Sequence, residues 1–374
     1  MIKLVNESEF ANMRQEWNWL LSQSTNNSLF LTHEWLFTWW QIFKDNKQLL
    51  IIAVYDNEHQ LIGIAPFYIE AACYFKLLSV KALKFLGTNK IDPDYLTIIT
   101  NPGCTKRVIH EVFEWLYGNR HLWDIMLLEN ILQHEHELVA IVDFLNDKKW
   151  RFLIRDHGVC PYIELPKQVD DYLKGFAHKS RYNLIKSERL VRNNFAYEYG
   201  ESKTARDADQ LLEQLFELHQ MRAKAMHRES AFDSDLIRKF HKQLIPLLFD
   251  KGIYKLYYLK LNGKIECCLY AFIYNGIFYF YQSGFNPELA KFSLGNIILL
   301  NTIREAIEQN CFQYDFLKGN EPYKSRWAQS QKITLALLIC GSKIKAVLYF
   351  SIIKLKSKIS AIMKGNYAKR KSCS

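Results

Sequence analysis

The stretch YFYQSGFNPELAKFSLGN, residues 279–296, places an aromatic strand directly before a loop of small residues. The apolar residues that follow predict a helix over residues 297–309. Backbone N–H groups at the start of a helix, next to a glycine that permits close approach, form a natural site for a phosphate group. The alternative is purely structural, with Ser293 as the N-cap and Gly295 as a packing glycine. The stretch therefore predicts either a pyrophosphate-binding loop or an ordinary strand–helix connection.

A second stretch, YDFLKGNEPYKSRW at residues 314–327, begins as a strand and turns at Gly319 and Asn320. Asp315 alternates with aromatic neighbours, and a carboxylate in such a position can orient an amine or take its proton. Glu321 in the turn is a second candidate for this role. Lys324 can offset developing negative charge or hold an anionic substrate group. An ion pair for Asp315 and an exposed position for Lys324 are the structural alternatives.

Working outward from these stretches, the same order of elements occurs twice. Strands are predicted at residues 49–55 and 61–69, and again at 254–261 and 265–274, where Asn262-Gly263 is a strong hairpin signal. Paired helices precede each hairpin, at residues 7–22 and from 32, and at 208–226 and 234–249. Shorter strands are predicted at 82–86, 95–99 and 123–128, with a helix at 105–117 before the last. This mixture predicts an α/β or α+β fold built from two similar domains.

Two prolines, Pro161 and Pro166, break the periodicity near residues 160–171 and mark the linker. We therefore expect domains at residues 1–160 and 170–340, followed by a basic tail at 341–374.

The formal net charge of +10 is concentrated in that tail, which has nine Lys or Arg residues and no Asp or Glu. The rest of the chain is close to neutral, so the charge does not indicate a general nucleic-acid-binding surface. The eight cysteines form no C-x-x-C pair and no zinc-ligand spacing, which indicates reduced thiols and no metal site. The N-terminus lacks the apolar segment of a secretory signal, and no apolar run is long enough for a membrane span. A cytoplasmic location is expected.

The two stretches together resemble the signature of GNAT superfamily acyltransferases of the CelD type, associated with bacterial cellulose biosynthesis, and of FemAB-like proteins. The matching residues are Ser283 to Pro287, Ala290, Ser293 to Gly295, and Tyr314 to Trp327. Weaker similarity covers residues 30–40, 62–67 and 179–184, so that the resemblance spans roughly residues 5 to 335.

The resemblance implies two tandem GNAT-like domains, each a mixed, mostly antiparallel sheet flanked by helices, with the N-terminal domain degenerate. It implies transfer of an acyl group from acetyl-CoA or another acyl-CoA to an amine or hydroxyl, with no metal. The catalytic candidates remain Lys324, Asp315 and Glu321. The residues that the resemblance places on the coenzyme are Gln282, Ser283, Gly284, Lys291, Ser293, Leu294, Gly295 and Asn296. Those that it places on the acceptor are Arg181, Arg222, Tyr281, Tyr323 and Trp327.

The loop at residues 291–296 keeps the basic first residue and the late glycine of the usual GNAT loop but lacks its middle glycine. Because FemAB-like relatives use aminoacyl-tRNA, that donor is one alternative, and the only one that involves nucleic acid. A non-catalytic scaffold in a polysaccharide-synthesis complex is another. The expected acceptor is a small molecule or a glycan precursor. The basic tail, with Lys interspersed among apolar residues at 343–364, is expected either to pack on the body or to contact the inner face of a membrane.

Overall fold

The computed structural model describes residues 1–74, 78–88, 91 and 93–356. The chain divides into two compact units. Unit 1 consists of residues 1–40, 44–157 and 333 onward, and unit 2 of residues 41–43 and 158–332. The chain leaves unit 1 within one strand and returns to it within another.

Unit 1 begins with a short strand and three helices, followed by a meander of strands. Its elements are β1 (Ile2–Val5), α1 (Glu7–Asn12), α2 (Arg14–Gln23), α3 (His33–Phe43), β2 (Lys47–Tyr55), β3 (Leu61–Tyr74), β4 (Leu78–Phe85), β5 (Ile99–Thr100), α4 (Thr105–Gly118), β6 (Ile125–Leu132), α5 (His136–Asp147) and the first part of β7 (Phe152–Glu164).

The sheet of unit 1 is mostly antiparallel. Strands β1, β2, β3 and β4 pair antiparallel in that order, and β4 pairs parallel with β6. The start of α3 follows from its sequence, because the Thr32 hydroxyl accepts a hydrogen bond from the Trp35 N–H as an N-cap. Helix α3 carries a stripe of aromatic side chains, which includes Trp35 and Trp39, and this stripe is buried.

Unit 2 has a similar order of elements. They are the rest of β7, α6 (Val169–Lys174), α7 (His178–Asn194), β8 (Tyr197–Glu201), α8 (Ala205–Ala225), α9 (Asp235–Leu248), β9 (Tyr254–Leu261), β10 (Lys264–Tyr274), β11 (Ile277–Phe285), α10 (Leu294–Glu308), β12 (Gln313–Asp315), α11 (Lys324–Trp327) and the beginning of β13 (Ser330–Cys340). Residues 344–356 then form a last helix, α12, in unit 1.

The sheet of unit 2 runs in the order β7, β12, β11, β10, β9, β8. Only the pair β11–β12 is parallel. The predicted hairpin at Asn262-Gly263 is confirmed, because these residues join β9 to β10, and a second Asn-Gly pair, Asn275-Gly276, joins β10 to β11. All four turn residues have the positive φ that a two-residue hairpin of this kind requires.

Each unit completes its sheet with a strand from the other half of the sequence. Residues 162–164 of β7 pair with β12 in unit 2, and residues 334–340 of β13 pair with β6 in unit 1. The sequence placed residues 170–340 in one domain, whereas the contacts group Ile333 onward with unit 1. The difference arises because a boundary read along the chain cannot show which neighbour a terminal strand pairs with.

The predicted fold class is confirmed, and most predicted helices and strands are present. The predicted strand at residues 95–99 is wrong in extent, because only Ile99 and Thr100 pair, with β3. Helix α12 covers the first part of the predicted amphipathic tail, and residues 357–374 lie outside the described residues. Among the helices that the structure describes, none combines the length and hydrophobicity needed to span a lipid bilayer.

Candidate active site

A bulge in β11 turns its last residues toward one side of the unit 2 sheet. Phe280 pairs with Ala271 and Gln282 pairs with Tyr270, so Tyr281 is an extra residue in β11. A one-residue insertion reverses the alternation of side chains beyond it. Ser283 and Phe285 therefore lie on the same face as Phe280.

The parallel strands β11 and β12 separate just before the bulge. Their pairing covers Ile277 to Tyr279 on β11 and ends at Asp315 on β12, while β11 continues to Phe285. The gap that opens along β11 is where an extended ligand can form backbone hydrogen bonds with an unpaired strand edge.

Helix α10 begins next to the end of β11. Its N-cap, Ser293, has a left-handed backbone (φ 56°), and its side chain does not cap the helix. Among the described residues, the backbone N–H groups of Leu294 and Gly295 have no acceptor, since the first intrahelical bonds run from Asn296 and Ile297 to Ser293 O. A 15-residue helix with free N–H groups attracts an anion at this end.

A cavity of about 200 Å³ lies at this helix start. It is lined by residues of β11, of the following loop, of α10 and of two neighbouring segments: Arg222, Phe280, Ser283, Phe285, Ala290, Ser293, Leu294, Gly295, Asn296, Leu299 and Tyr323. None of these lining residues is acidic. The cavity thus combines an apolar wall, free backbone donors and one guanidinium, a combination that suits a phosphorylated ligand with an apolar arm.

The positive charge at the cavity comes from Arg222 near the end of α8. Its guanidinium lies 4.8 Å from the centre of the Phe285 ring. Beside it, burial lowers the pKa of His219, and the charge of Arg222 lowers it further. The His219 side chain is therefore neutral near pH 7, and its Nδ1 lies 2.8 Å from Ser230 Oγ. Lys291 is exposed next to the helix start, with its Nζ 5.1 Å from the Phe292 ring centre.

Asp315 does not line the cavity. It is fully buried, and its carboxylate accepts hydrogen bonds from Gln313 Nε2 (2.8 Å), Leu317 N (2.9 Å) and Lys332 Nζ (3.0 Å). A carboxylate with these partners holds the backbone after β12, where Leu317 has a positive φ of 56°. This geometry matches the ion-pair alternative considered for Asp315.

Lys324 also lies outside the cavity lining, although its neighbour Tyr323 is part of it. The ammonium is buried and donates to the carbonyls of Leu317 (3.4 Å) and Lys318 (3.0 Å). It lies 3.1 Å from Glu321, whose carboxylate is about half exposed at 47%. Lys324 therefore stabilises the conformation of the turn that precedes it.

Two residues predicted to hold the coenzyme lie on the opposite face of β11 from the cavity. Gln282 contacts His219 of α8. A Cβ atom at Gly284 would lie 2.7 Å from the backbone N of His219, so this glycine permits α8 to pack against the strand. Tyr281, predicted to bind the acceptor, packs against His241 and Tyr270. Of the other six predicted coenzyme residues, Ser283, Ser293, Leu294, Gly295 and Asn296 line the cavity, and Lys291 does not.

Of the other predicted acceptor residues, Arg222 and Tyr323 line the cavity. Trp327 is buried and packs edge-on against Phe176, and Arg181 lies on α7, outside the cavity lining. Four further lining residues, Phe280, Phe285, Ala290 and Leu299, were not among the predicted site residues. The alternation of β11 would have suggested the two phenylalanines only if the bulge at Tyr281 had been visible.

The two adjacent thiols in β10 are poor nucleophiles. Cys267 and Cys268 are fully buried, and burial raises the pKa of both thiols. Among the described residues there is also no cluster of three His, Cys, Asp or Glu side chains arranged to hold a metal.

Part of unit 2 is similar in sequence to a known protein family. Residues 178–325 match a family model described as an acetyltransferase (GNAT) domain. No curated protein sequence matches the chain significantly.

Several solved structures share its fold over most of its length. The crystal structure of FemX superposes with a TM-score of 0.59 at 10% identity, covering 89% of this chain and 96% of that one. The C-terminal domain of a putative lysylphosphatidylglycerol synthetase from Agrobacterium fabrum gives 0.52 at 11% identity, covering 92% and 97%. A tandem GNAT protein from the clavulanic acid biosynthesis pathway gives 0.50 at 9% identity, covering 92% and 100%.

At these identities the structures establish a common fold rather than a common substrate. The family model adds a sequence match over the part of unit 2 that contains the cavity, the start of α10 and Tyr323. Residues 178–325 are therefore similar in sequence to a GNAT acetyltransferase domain, and the chain shares its fold with these solved structures over most of its length.

Proposed function

We propose that unit 2 transfers an acyl group from an acyl-CoA thioester, with acetyl-CoA as the first candidate, to an amine or hydroxyl of a small molecule or glycan precursor. The observation that carries this proposal is the pair of free N–H groups, of Leu294 and Gly295, at a cavity that Arg222 also lines. The pyrophosphate would bind at the helix start, and the pantetheine arm would extend along the open edge of β11.

In the proposed step the acceptor nitrogen or oxygen attacks the thioester carbonyl. The new C–N or C–O bond forms as the C–S bond breaks, the acceptor loses a proton, and the thiolate gains one. Tyr323 lines the cavity and is the proposed hydrogen-bond donor to the leaving sulfur, because burial raises the pKa of its phenol and keeps it protonated; the released thiolate takes its proton from water. Glu321, half exposed in the preceding turn, is proposed to take the acceptor's proton through water. Lys324 and Asp315 are proposed to position this turn rather than to touch the substrate.

The same chemistry is not proposed for unit 1, where α4 is the helix that follows the first strand of the parallel pair. Near its start the Thr105 hydroxyl lies 2.7 Å from that of Thr100, which donates to the buried carboxylate of Glu137. A carboxylate at this position disfavours a phosphate. This supports the prediction that the N-terminal domain is degenerate.

The test is binding of acetyl-CoA, measured by calorimetry, to the wild type and to Gly295→Glu. A side chain at Gly295 meets only the Phe285 ring, at an ordinary 3.7 Å, so the variant should fold. Its carboxylate at the helix start should weaken binding at least tenfold through repulsion of the phosphates. Gly118→Glu adds the same charge at the end of α4, where nothing lies within 4 Å, and should bind like the wild type. Undiminished binding by Gly295→Glu would show that the start of α10 does not bind the pyrophosphate.

Aminoacyl transfer from tRNA is the second candidate. It is supported by the fold shared with FemX and by the basic residues on α7, since Lys179, Arg181, Lys186 and Arg189 form no ion pair within the described part of the chain. This function requires tRNA binding that weakens steeply with salt. A folded protein that binds neither donor would instead support the scaffold alternative. The link to polysaccharide synthesis rests on the CelD-type resemblance and stays a prediction.

A further inference from the structure

Helix α12 in unit 1 is apolar on two opposite faces. One face packs on the sheet through Ala346, Tyr349 and Phe350, which are buried with residues of β4, β6 and β13. The opposite face carries Ile344, Leu348 and Leu355, which are 89%, 52% and 60% exposed. Their spacing of four and seven residues forms one continuous stripe. A helix that is apolar on both faces is normally covered on both.

The exposed stripe is flanked by lysines on the same helix. Lys354 is exposed, and Lys345 reaches back to pair with the buried carboxylate of Asp124 at 2.6 Å. The chain beyond the described residues adds five more Lys or Arg and no acidic residue. An apolar stripe bordered by cations is the pattern of a helix that lies in the interface of an anionic bilayer.

A cationic cavity of about 280 Å³ lies alongside this helix. Val347 of α12 forms part of its wall, together with Arg120, Trp123, Lys149, Trp150, Arg151, Cys340, Gly341 and Ser342. The lining includes three cations and no acidic residue. Within the described part of the chain, none of Arg120, Lys149 and Arg151 forms an ion pair with a carboxylate, although the Arg120 guanidinium lies 4.0 Å from the centre of the Tyr117 ring.

The backbone at Lys149 supports a role for its side chain. Lys149 follows α5 with a positive φ of 54°, the conformation in which a helix usually ends on glycine or asparagine. A lysine in this conformation costs stability relative to glycine. A function for the Lys149 ammonium in the cavity would offset this cost in stability.

We propose that unit 1 binds the surface of an anionic phospholipid bilayer, with a lipid phosphate in the cavity of Arg120, Lys149 and Arg151 and the stripe of Ile344, Leu348 and Leu355 inserted beside it. A free phosphorylated metabolite would account for the cavity but leave the stripe uncovered. A second copy of the chain would cover the stripe but bring like charges together. Only a bilayer complements both features, and this site is independent of the acyl transfer proposed for unit 2.

The experiment is co-sedimentation of the full chain with vesicles of phosphatidylcholine alone and with vesicles that also contain phosphatidic acid. We expect binding only to the second kind. Lys149→Gln with Arg151→Gln should weaken it about fivefold per charge removed, the factor that corresponds to ~1 kcal/mol per basic side chain at an anionic surface. Ile344→Ser with Leu348→Ser should weaken it by a similar total factor while leaving the cavity intact.

Matched controls lie in the same unit. Lys106→Gln removes one exposed charge on α4, and Val139→Ser removes one exposed apolar side chain (55%) on α5; both should bind like the wild type. Circular dichroism establishes that each variant folds. Equal binding to neutral vesicles, or no vesicle binding by a protein that binds inorganic phosphate, overturns the proposal. It is also overturned if the serine variants change only the oligomeric state measured by light scattering.

Discussion

At the scale of single residues, the partners of a side chain decide its role more than its type does. Lys324 and Asp315 are the residue types that acyl transfer chemistry uses, and both lie close in sequence to the cavity-lining Tyr323. Yet Lys324 donates to two backbone carbonyls, and Asp315 accepts from three donors. No sequence pattern could distinguish these arrangements from catalytic ones, because the partners come from a turn whose conformation depends on the positive φ of Leu317.

Replacing Lys324 by Met should therefore lower the free energy of unfolding by about 1–3 kcal/mol, the cost of leaving buried acceptors unsatisfied. Turnover should fall as well, because Tyr323 is the next residue and the turn positions it. Urea denaturation measures the first effect. Arg326→Met, at an exposed position two residues later, should be within ~0.5 kcal/mol of the wild type. A Lys324→Met variant of wild-type stability but without turnover would instead make Lys324 a catalytic residue.

His241 predicts how stability depends on pH. It is fully buried among aromatic rings, and burial lowers its pKa to about 3. Since its pKa in the unfolded chain is about 6.5, the unfolded state binds the proton more readily. The contribution of neutral His241 to the free energy of unfolding is complete above pH 6.5 and is lost progressively as the pH falls toward 3.

Between pH 7.5 and pH 5 this one histidine should cost about 2 kcal/mol of unfolding free energy. His241→Phe keeps the ring and removes the titration, so its stability should fall less over the same interval. Urea unfolding at the two pH values measures both slopes, and the difference between them isolates His241 from His219 and His33, whose pKa values are also lowered by burial. Parallel slopes would show that His241 is accessible to protons in the folded state.

At the scale of elements, the helices and hairpins could be predicted from periodic patterns in the sequence, whereas the bulge that interrupts such a pattern could not. The helices and hairpins around the site follow from apolar spacing and from Asn-Gly turns. The bulge at Tyr281 has no such signal, and it decides which β11 side chains face the cavity. Gln282 and Gly284 were therefore expected at the coenzyme but face α8. The loop at residues 293–296 lines the cavity at the predicted start of the helix, which is marked locally in the sequence, and its role in coenzyme binding stays a prediction.

The packing of α8 on β11 should depend on Gly284. A methyl group there would lie 2.7 Å from the backbone N of His219, an atom that cannot move away without displacing the helix. Gly284→Ala should lower the unfolding free energy by roughly 1–3 kcal/mol, the usual cost of overpacking. Gly118→Ala, near the end of α4 with nothing within 4 Å, should be neutral or slightly stabilising. Thermal unfolding compares the two, and equal melting temperatures would mean that α8 does not constrain β11.

At the scale of the whole molecule, the repeat of elements was visible in the sequence but the exchange of strands was not. Two tandem domains follow from the repeated order of helices and hairpins. A linear boundary between them fails because β7 and β13 each begin in one unit and end in the other. The pairing of β13 with β6 joins residues about two hundred positions apart, and local periodicity holds no information about such a partner.

This exchange makes a prediction about truncation. A chain that ends after Lys332 retains every strand of unit 2, including the residues of β7 that pair with β12. In unit 1 it leaves β6 without β13 and removes the buried side chains of Leu338, Tyr349 and Phe350 from the core. Each large apolar side chain is worth about 1.5–3 kcal/mol when buried, and a domain has only ~5–15 kcal/mol in total.

Unit 1 should therefore fail to fold in the chain ending after Lys332, although its sequence from residue 1 to 157 is intact. Hydrogen exchange read by mass spectrometry should find β2 and β3 unprotected in this chain, while β9, β10 and β11 in unit 2 keep their protection. A chain ending after Lys356 retains all the described elements and should be protected throughout. Persistent protection of β2 and β3 in the shorter chain would mean that β13 is dispensable, and that unit 1 is stabilised by its N-terminal residues alone.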